Sequence, residues 1–389
     1  MRKNPNVLLV AASGDYTGAA KMAHLYGTAL RREGWHVSYL VGKTMTNCHE
    51  RLADKLAGDG FIVNIVDGFY NFLPLNLILR TKKIIRRISP DIVVSCVQAD
   101  LKVIAPVCLD LGIPFVILDQ TIHRFYGSRL IRLLKEWAFG RYIRRACAVV
   151  AVSEAVAREA INRFGCHEAK VTVVPNGIET CKYLNRSSFG PSSVSYTHAG
   201  PLKLLSIGRI DEQKGHVYLV EAISLCRDMG VDVVLSIAGD ISPNNKPSAL
   251  YRAKIERLIK THNLSGQIHL IGWQANVPGL LPFFDAYIHS ALWEGFPLGV
   301  IEAMAGALPV VMTDCVGRPP GFNDGTHGWV VKAGNSQHLA TAIKRLYQLS
   351  AEARYQMGLA CRKLATEKYD ISMTDRCFVE ICHSVLQRR

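Results

Sequence analysis

Residues 294–302 read EGFPLGVIE, with Glu294 and Glu302 separated by seven residues and a turn rich in Gly295, Pro297 and Gly299 between them. Core-building does not ask for a carboxylate in a glycine-rich turn and a second one about two helical turns later. The turn residues disfavour a helix, whereas the following VIEAMAGA favours one, so the sequence predicts a helix starting near Leu298. A helix start offers backbone N–H donors and the positive end of the dipole, which together favour an anion. Alone it contributes only about 0.3–1 kcal/mol. A second loop, RIDEQKG, adds two full charges, Arg209 and Lys214, beside Gly208 and Gly215. Two cations and a helix start suit a doubly charged group such as a pyrophosphate.

The glutamates do not suit phosphate, because like charges repel. They suit hydroxyl groups, whose protons a carboxylate accepts. A ligand with hydroxyls on both sides of a pyrophosphate is a sugar nucleotide, which places Glu302 on the ribose and Glu294 beside the sugar. A third loop, SGDYTGAA, has Gly14 and Gly18 where a helix would begin. It lacks the G-x-G-x-x-G spacing of dinucleotide sites, so a nicotinamide cofactor is not expected. Gly272 closes the QIHLIGW segment and joins the donor-side candidates by its place at a strand end.

The elements that must hold these loops are short apolar runs alternating with amphipathic stretches. NVLLVAA, WHVSYLVG, PDIVVSCV, IPFVILD, ACAVVAVS and KVTVVPNG come first. KLLSIGR, VDVVLSIAGD, QIHLIGW, AYIHSA, LPVVMTD and GWVV follow a Ser- and Gly-rich interruption at residues 185–200, which reads as a linker. Uniformly apolar strands between helices indicate parallel sheets covered on both faces. The fold class expected is α/β, with two doubly wound Rossmann-like domains facing each other across a cleft. Ligands of such sheets bind beyond the carboxyl ends of the strands, where all three loops fall.

The 389 residues fit two domains. Eleven scattered cysteines, with no Cys-x-x-Cys pair, read as small apolar fillers of a reducing compartment. The apolar run of the N-terminus is too short for a secretion signal, and no stretch is long enough to span a membrane. The formal net charge is +14, of which residues 1–178 carry 24 Lys+Arg against 14 Asp+Glu, a net of +10. In NLILRTKKIIRRIS, Leu77, Ile78, Ile84, Ile85 and Ile88 share one helical face, with Arg80, Lys82, Lys83, Arg86 and Arg87 on the other. In RLIRLLKEW, Leu130, Leu133, Leu134 and Trp137 separate from Arg129, Arg132 and Lys135. Each helix taken alone is expected to turn its apolar face to the core. Together with the charge imbalance they suggest docking on anionic lipid headgroups. No recognised nucleic-acid module accompanies the charge, so nucleic acid is not an expected partner.

GRIDEQKG followed by SALWEGFPLGVIEAMAGALPVVMTD resembles the retaining glycosyltransferases of family 4, which have the GT-B fold. The resemblance extends upstream through AVVAVSEAVAREAINRFG and VTVVPNGIE and downstream through NDGTHGWVVKAGN. It implies that Arg209 and Lys214 neutralise the donor pyrophosphate and that backbone amides around Phe296, Leu298 and Gly299 contact phosphate and sugar. It also implies an acceptor domain over residues 1–178, a donor domain over 179–365, a hinge at Pro175 to Glu179, and a last helix, about 366–389, crossing back to the first domain. The family's sugar-contacting histidine falls, by count from Pro114, on Gln120. His123 lies three residues on, and either residue fills that role. An acidic position near GRPPG is occupied by Pro320.

The chemistry implied is departure of a nucleoside diphosphate from the anomeric carbon through an oxocarbenium-like state, with the two cations stabilising the leaving group. No Asp-x-Asp pair sits in these loops, so no metal cofactor is expected. The function expected is transfer of a sugar from a nucleoside-diphosphate sugar to a glycan or lipid-linked acceptor. Envelope or capsular polysaccharide or lipopolysaccharide assembly is the setting, at the cytoplasmic face of the membrane. A sugar-nucleotide epimerase or a sugar-nucleotide-binding protein of the same fold is the alternative.

Overall fold

The computed structural model describes residues 4–44, 50–70, 74–96, 98–183, 200–241, 246–315 and 319–388. The linker expected at residues 185–200 therefore lies almost wholly outside the described residues. The chain divides into two compact units, Met1–Asn176 with Ser372–Arg389, and Gly177–Ile371.

The first unit contains β1 (Asn6–Ala11), α1 (Gly18–Arg32), β2 (His36–Gly42), α2 (Leu52–Gly58), β3 (Ile62–Val66), α3 (Leu75–Ile88), β4 (Ile92–Ser95) and α4 (Gln98–Leu111). It continues through β5 (Phe115–Asp119), α5 (Arg129–Ile143), β6 (Ala148–Ala151), α6 (Glu154–Asn162) and β7 (Val171–Val173). Its sheet is parallel in the order β3-β2-β1-β4-β5-β6-β7. Strands β1, β4, β5 and β6 are buried almost throughout, as their unbroken apolar runs demand.

The second unit contains β8 (Leu202–Ile207), α7 (His216–Asp228), β9 (Val233–Ala238), α8 (Lys246–Thr261), β10 (Ile268–Gly272), α9 (Val277–Leu280) and β11 (Ala286–His289). It ends with α10 (Leu298–Ala305), β12 (Val310–Thr313), β13 (Gly328–Val331), α11 (Ser336–Gln348), α12 (Ala351–Lys368) and the first residue of α13 (Ile371–Gln387). Its parallel order is β10-β9-β8-β11-β12-β13. Strand order reverses between β8 and β11, and the loops leaving these two strands are the ones carrying Arg209, Lys214 and Glu294. A doubly wound sheet offers its ligand crevice at that reversal.

The body of α13 belongs to the first unit. Phe378, fully buried, stacks on Tyr26 of α1 with ring centroids 4.3 Å apart, and His383 meets Trp35 edge-on at 4.9 Å. The division of the chain falls at Asn176/Gly177 and Ile371/Ser372, where the sequence suggested 178/179 and about 366.

The two basic helices differ. In α3, Leu77 and Ile85 are buried and Arg80, Lys83, Arg86 and Arg87 are exposed, as a core-facing helix requires. In α5 the expectation fails. Phe139, Gly140 and Ile143 face the core instead, and Leu130, Leu133, Leu134 and Trp137 stand in solvent.

Candidate active site

The loop after β8 turns at Gly215, whose φ of +63° suits glycine, and where a Cβ would lie 2.1 Å from the carbonyl oxygen of Ser290. The Ser290 hydroxyl donates to the Lys214 carbonyl at 2.8 Å, tying this loop to the one after β11. Lys214 is thereby aimed across to Glu294, and its Nζ pairs with Glu294 Oε1. Gln213 Nε2 donates to the Trp293 carbonyl at 3.1 Å and to Glu294 Oε2 at 3.4 Å. Arg209 is half-exposed, and its Nη2 lies 3.2 Å from both Gln213 Oε1 and Asp211 Oδ2.

Two buried histidines back this cluster. His289, the last residue of β11, has its Nε2 3.7 Å from Glu294 Oε1, and burial followed by the Lys214 charge pushes its pKa well below the ordinary value. His216, the first residue of α7, is pushed down to about 3 by burial, then by Lys214 and His289. Both are neutral at neutral pH, so the buried Glu294 draws its countercharge from Lys214.

Helix α10 starts at Leu298, as its turn residues predict. Pro297 provides no side-chain cap. The Leu298 N–H donates to the Phe296 carbonyl at 3.1 Å, and Val300 and Ile301 donate to the Pro297 carbonyl. The N–H groups of Phe296 and Gly299 have no acceptor among the described residues. The Leu298 N–H is thus engaged within the turn, while those of Phe296 and Gly299 are the amides left open at this helix start. The Phe296 ring is buried against Tyr369, whose hydroxyl donates to the Pro320 carbonyl.

Glu302 is buried on α10, where the Tyr183 hydroxyl bonds to its carboxylate. Burial, then Glu302, raises the pKa of that phenol. The sequence reading missed Tyr183, Gln213, His216 and His289. Gln213 sat inside the quoted loop RIDEQKG and His289 at the end of the quoted strand run AYIHSA, whereas Tyr183 is distant in sequence and carried no signal.

The remaining candidates divide between the two units. Gly208 lies under the Lys214 stem, where a Cβ would be 3.1–3.3 Å from its methylenes. Gly272 closes β10 at φ +69° with open space around it. Gly14 and Gly18 lie in the first unit. A Cβ at Gly14 would meet the Thr44 nitrogen at 2.4 Å, so close packing of two loops explains this glycine. Gly18 opens α1 and is exposed.

His123, also in the first unit, is 3% exposed. Its Nε2 lies 2.8 Å from Asp119 Oδ1, and its ring packs among Phe125, Phe139 and Phe164. Burial opposes its charge, but Asp119 holds its pKa above the ordinary value. Gln120 is more accessible and donates to the Ala19 carbonyl at the start of α1, at 3.5 Å. Among the described residues, no group of three or more His, Cys, Asp or Glu could hold a metal ion.

Two family models cover most of the chain. Glycosyltransferase Family 4 matches residues 16–182, and Glycosyl transferases group 1 matches residues 194–364. An uncharacterized glycosyltransferase of Methanocaldococcus jannaschii is 29% identical over 260 residues, covering 63% of this chain and 62% of that protein. The Escherichia coli UDP-Gal:alpha-D-GlcNAc-diphosphoundecaprenol alpha-1,3-galactosyltransferase is 21% identical over 243 residues, covering 60% of each. The chain thus spans less than two thirds of the length of these curated relatives. Anabaena HepE, solved in complex with UDP and glucose, superposes with a TM-score of 0.80 at 19% identity, over 98% of this chain and all of that one. The two matched models and the two doubly wound sheets agree, and the chain belongs to glycosyltransferase family 4, with the GT-B fold.

Proposed function

We propose that the protein is a retaining glycosyltransferase that moves a hexose from a nucleoside-diphosphate sugar to a lipid-linked glycan in envelope polysaccharide assembly. One observation carries this reading: Arg209, the Lys214–Glu294 pair and the uncapped start of α10 meet on the two loops that leave β8 and β11. A UDP-sugar is the first donor to try, since the E. coli relative uses UDP-Gal and HepE was solved with UDP.

In this reading Arg209 and Lys214 face the pyrophosphate, with the Phe296 and Gly299 amides as neutral donors. As the anomeric C–O bond breaks, the nucleoside diphosphate leaves with the electron pair and gains charge. The acceptor oxygen bonds to the same face of the sugar, and its proton passes to the leaving phosphate. Preformed cations stabilise that charge more in the transition state than in the ground state. Glu294, fixed by Lys214 and Gln213, accepts from sugar hydroxyls. Glu302 holds the ribose, exchanging its Tyr183 partner for a ribose hydroxyl or sharing it.

The cations take the part a divalent metal would play, so transfer is metal-independent. The basic first unit docks on an anionic membrane surface from the cytoplasmic side, where a lipid-linked acceptor is presented. A thermal-shift screen over UDP-, GDP- and ADP-sugars tests the donor half. A ligand at 100 times its Kd adds about 2.7 kcal/mol of stability, and a flat response to every nucleotide refutes it.

A further inference from the structure

The exposed side of α5 is the feature that ordinary folding does not explain. Leu130, Leu133, Leu134 and Trp137 recur at three- and four-residue spacing, so they form one stripe along the helix. They and Tyr126, in the loop before the helix, are between 51 and 69% exposed. The stripe lies opposite Phe139 and Ile143, which anchor the helix to its unit. It is therefore not a misplaced core face, since a separate core face exists.

The surroundings of the stripe are cationic. Arg141 lies over the Trp137 ring at 5.8 Å, Arg129 and Arg132 are exposed beside it, and Arg145 is exposed just past the helix end. Lys135 Nζ donates to the Tyr126 carbonyl at 2.9 Å, which holds the tyrosine loop against the helix. Helix α4 packs against both α3 and α5. On α3, Leu75 and Leu79 are also exposed, beside Arg80, Lys83, Arg86 and Arg87.

An aqueous protein partner does not require basic residues along a Leu/Trp stripe, whereas a bilayer with anionic headgroups does. Trp and Tyr settle at the headgroup level, leucines enter the acyl boundary, and arginines meet the phosphates. We infer that α5, with Tyr126, is a membrane-inserting helix that seats the first unit in the interface of an anionic phospholipid bilayer, with α3 as a second, electrostatic contact. This rests on the reading that the enzyme works at a membrane surface, and it names the element that enters the membrane.

The test is flotation of the full chain with phosphatidylglycerol-containing vesicles and with pure phosphatidylcholine vesicles, at low and high salt. The expected result is flotation with the anionic vesicles, and at least about tenfold weaker binding for Leu133→Ser/Trp137→Ser with an unchanged Tm. Reversing Arg80, Lys83, Arg86 and Arg87 to Glu should weaken binding and flatten its salt dependence. Equal flotation of the stripe variant and the natural chain overturns the insertion and leaves docking by charge alone. Absence of flotation for the natural chain overturns both, without touching donor binding. A natural chain that is dimeric, and becomes monomeric in the stripe variant with vesicle binding unchanged, overturns the inference in favour of a second copy as the occupant.

Discussion

Lys214 and Glu294 lie eighty positions apart in the chain, yet their side chains are directly paired at the carboxyl ends of two adjacent strands. The sequence put the cation on a phosphate and the carboxylate on a sugar. In the fold each is the other's counterion, and under the proposed function the ammonium is shared between carboxylate and phosphate.

Removing one member of the pair is therefore a stability experiment. Lys214→Ala leaves a buried carboxylate without its charge partner and should cost roughly 3 kcal/mol in urea unfolding. Lys214→Met combined with Glu294→Gln removes both charges, and most of that loss should return.

Stability should also depend on pH through His216 and His289. Both pKa values are depressed in the fold, so stability is complete above the unfolded value near 6.5. Below it the unfolded chain binds protons that the folded chain refuses, and each histidine removes up to about 1.4 kcal/mol per pH unit. His123, with its pKa raised, acts oppositely, stabilising below about 6.5 and losing that contribution as pH rises through its folded value. Calorimetry should show Tm falling between about pH 7 and pH 5, and a shallower fall in His289→Asn.

Tyr183→Phe deletes the hydroxyl bonded to Glu302. A buried charged acceptor losing such a donor should cost about 1–3 kcal/mol. If Glu302 holds the ribose, saturating nucleotide should recover part of the loss, which thermal shift with and without ligand would reveal.

Gly299, in the first turn of α10, lies under the Tyr287 hydroxyl, where an added Cβ would fall at 2.5 Å. Gly299→Ala should destabilise by about 1–3 kcal/mol through overpacking. Tyr287→Phe removes the colliding oxygen, so the double variant should lose less than the two single losses summed.

Transfer, once an acceptor is in hand, should be unchanged by EDTA. Loss of activity in EDTA, restored by magnesium or manganese, would remove Arg209 and Lys214 from the role given to the metal.

Much of the architecture was legible because parallel strands buried on both faces read as unbroken apolar runs. The loops that matter were legible because Gly, Pro and charged residues interrupt those runs at strand ends. What was hidden depended on which way a side chain turns. Hydrophobic periodicity gave the two faces of α5 but not which one the sheet would take, and Phe139 and Ile143 decided that. Counting placed His123 near a family position, yet Asp119 and three phenylalanines draw it into the interior. Gly14 packs tightly against Thr44, a closeness that its spacing in the sequence does not announce. The Tyr183–Glu302 bond joins residues no local pattern connects.

The central claim is that the β8 and β11 loops hold a nucleotide pyrophosphate, and Arg209 tests it most directly. It is half-exposed and bonded only at the surface, so its removal should leave the fold intact. Calorimetric titration with UDP-, GDP- and ADP-sugars in EDTA should give saturable binding of at least one, weakened about tenfold or more in Arg209→Ala at unchanged Tm. Binding of the same strength in the natural chain and in Arg209→Ala would contradict the account.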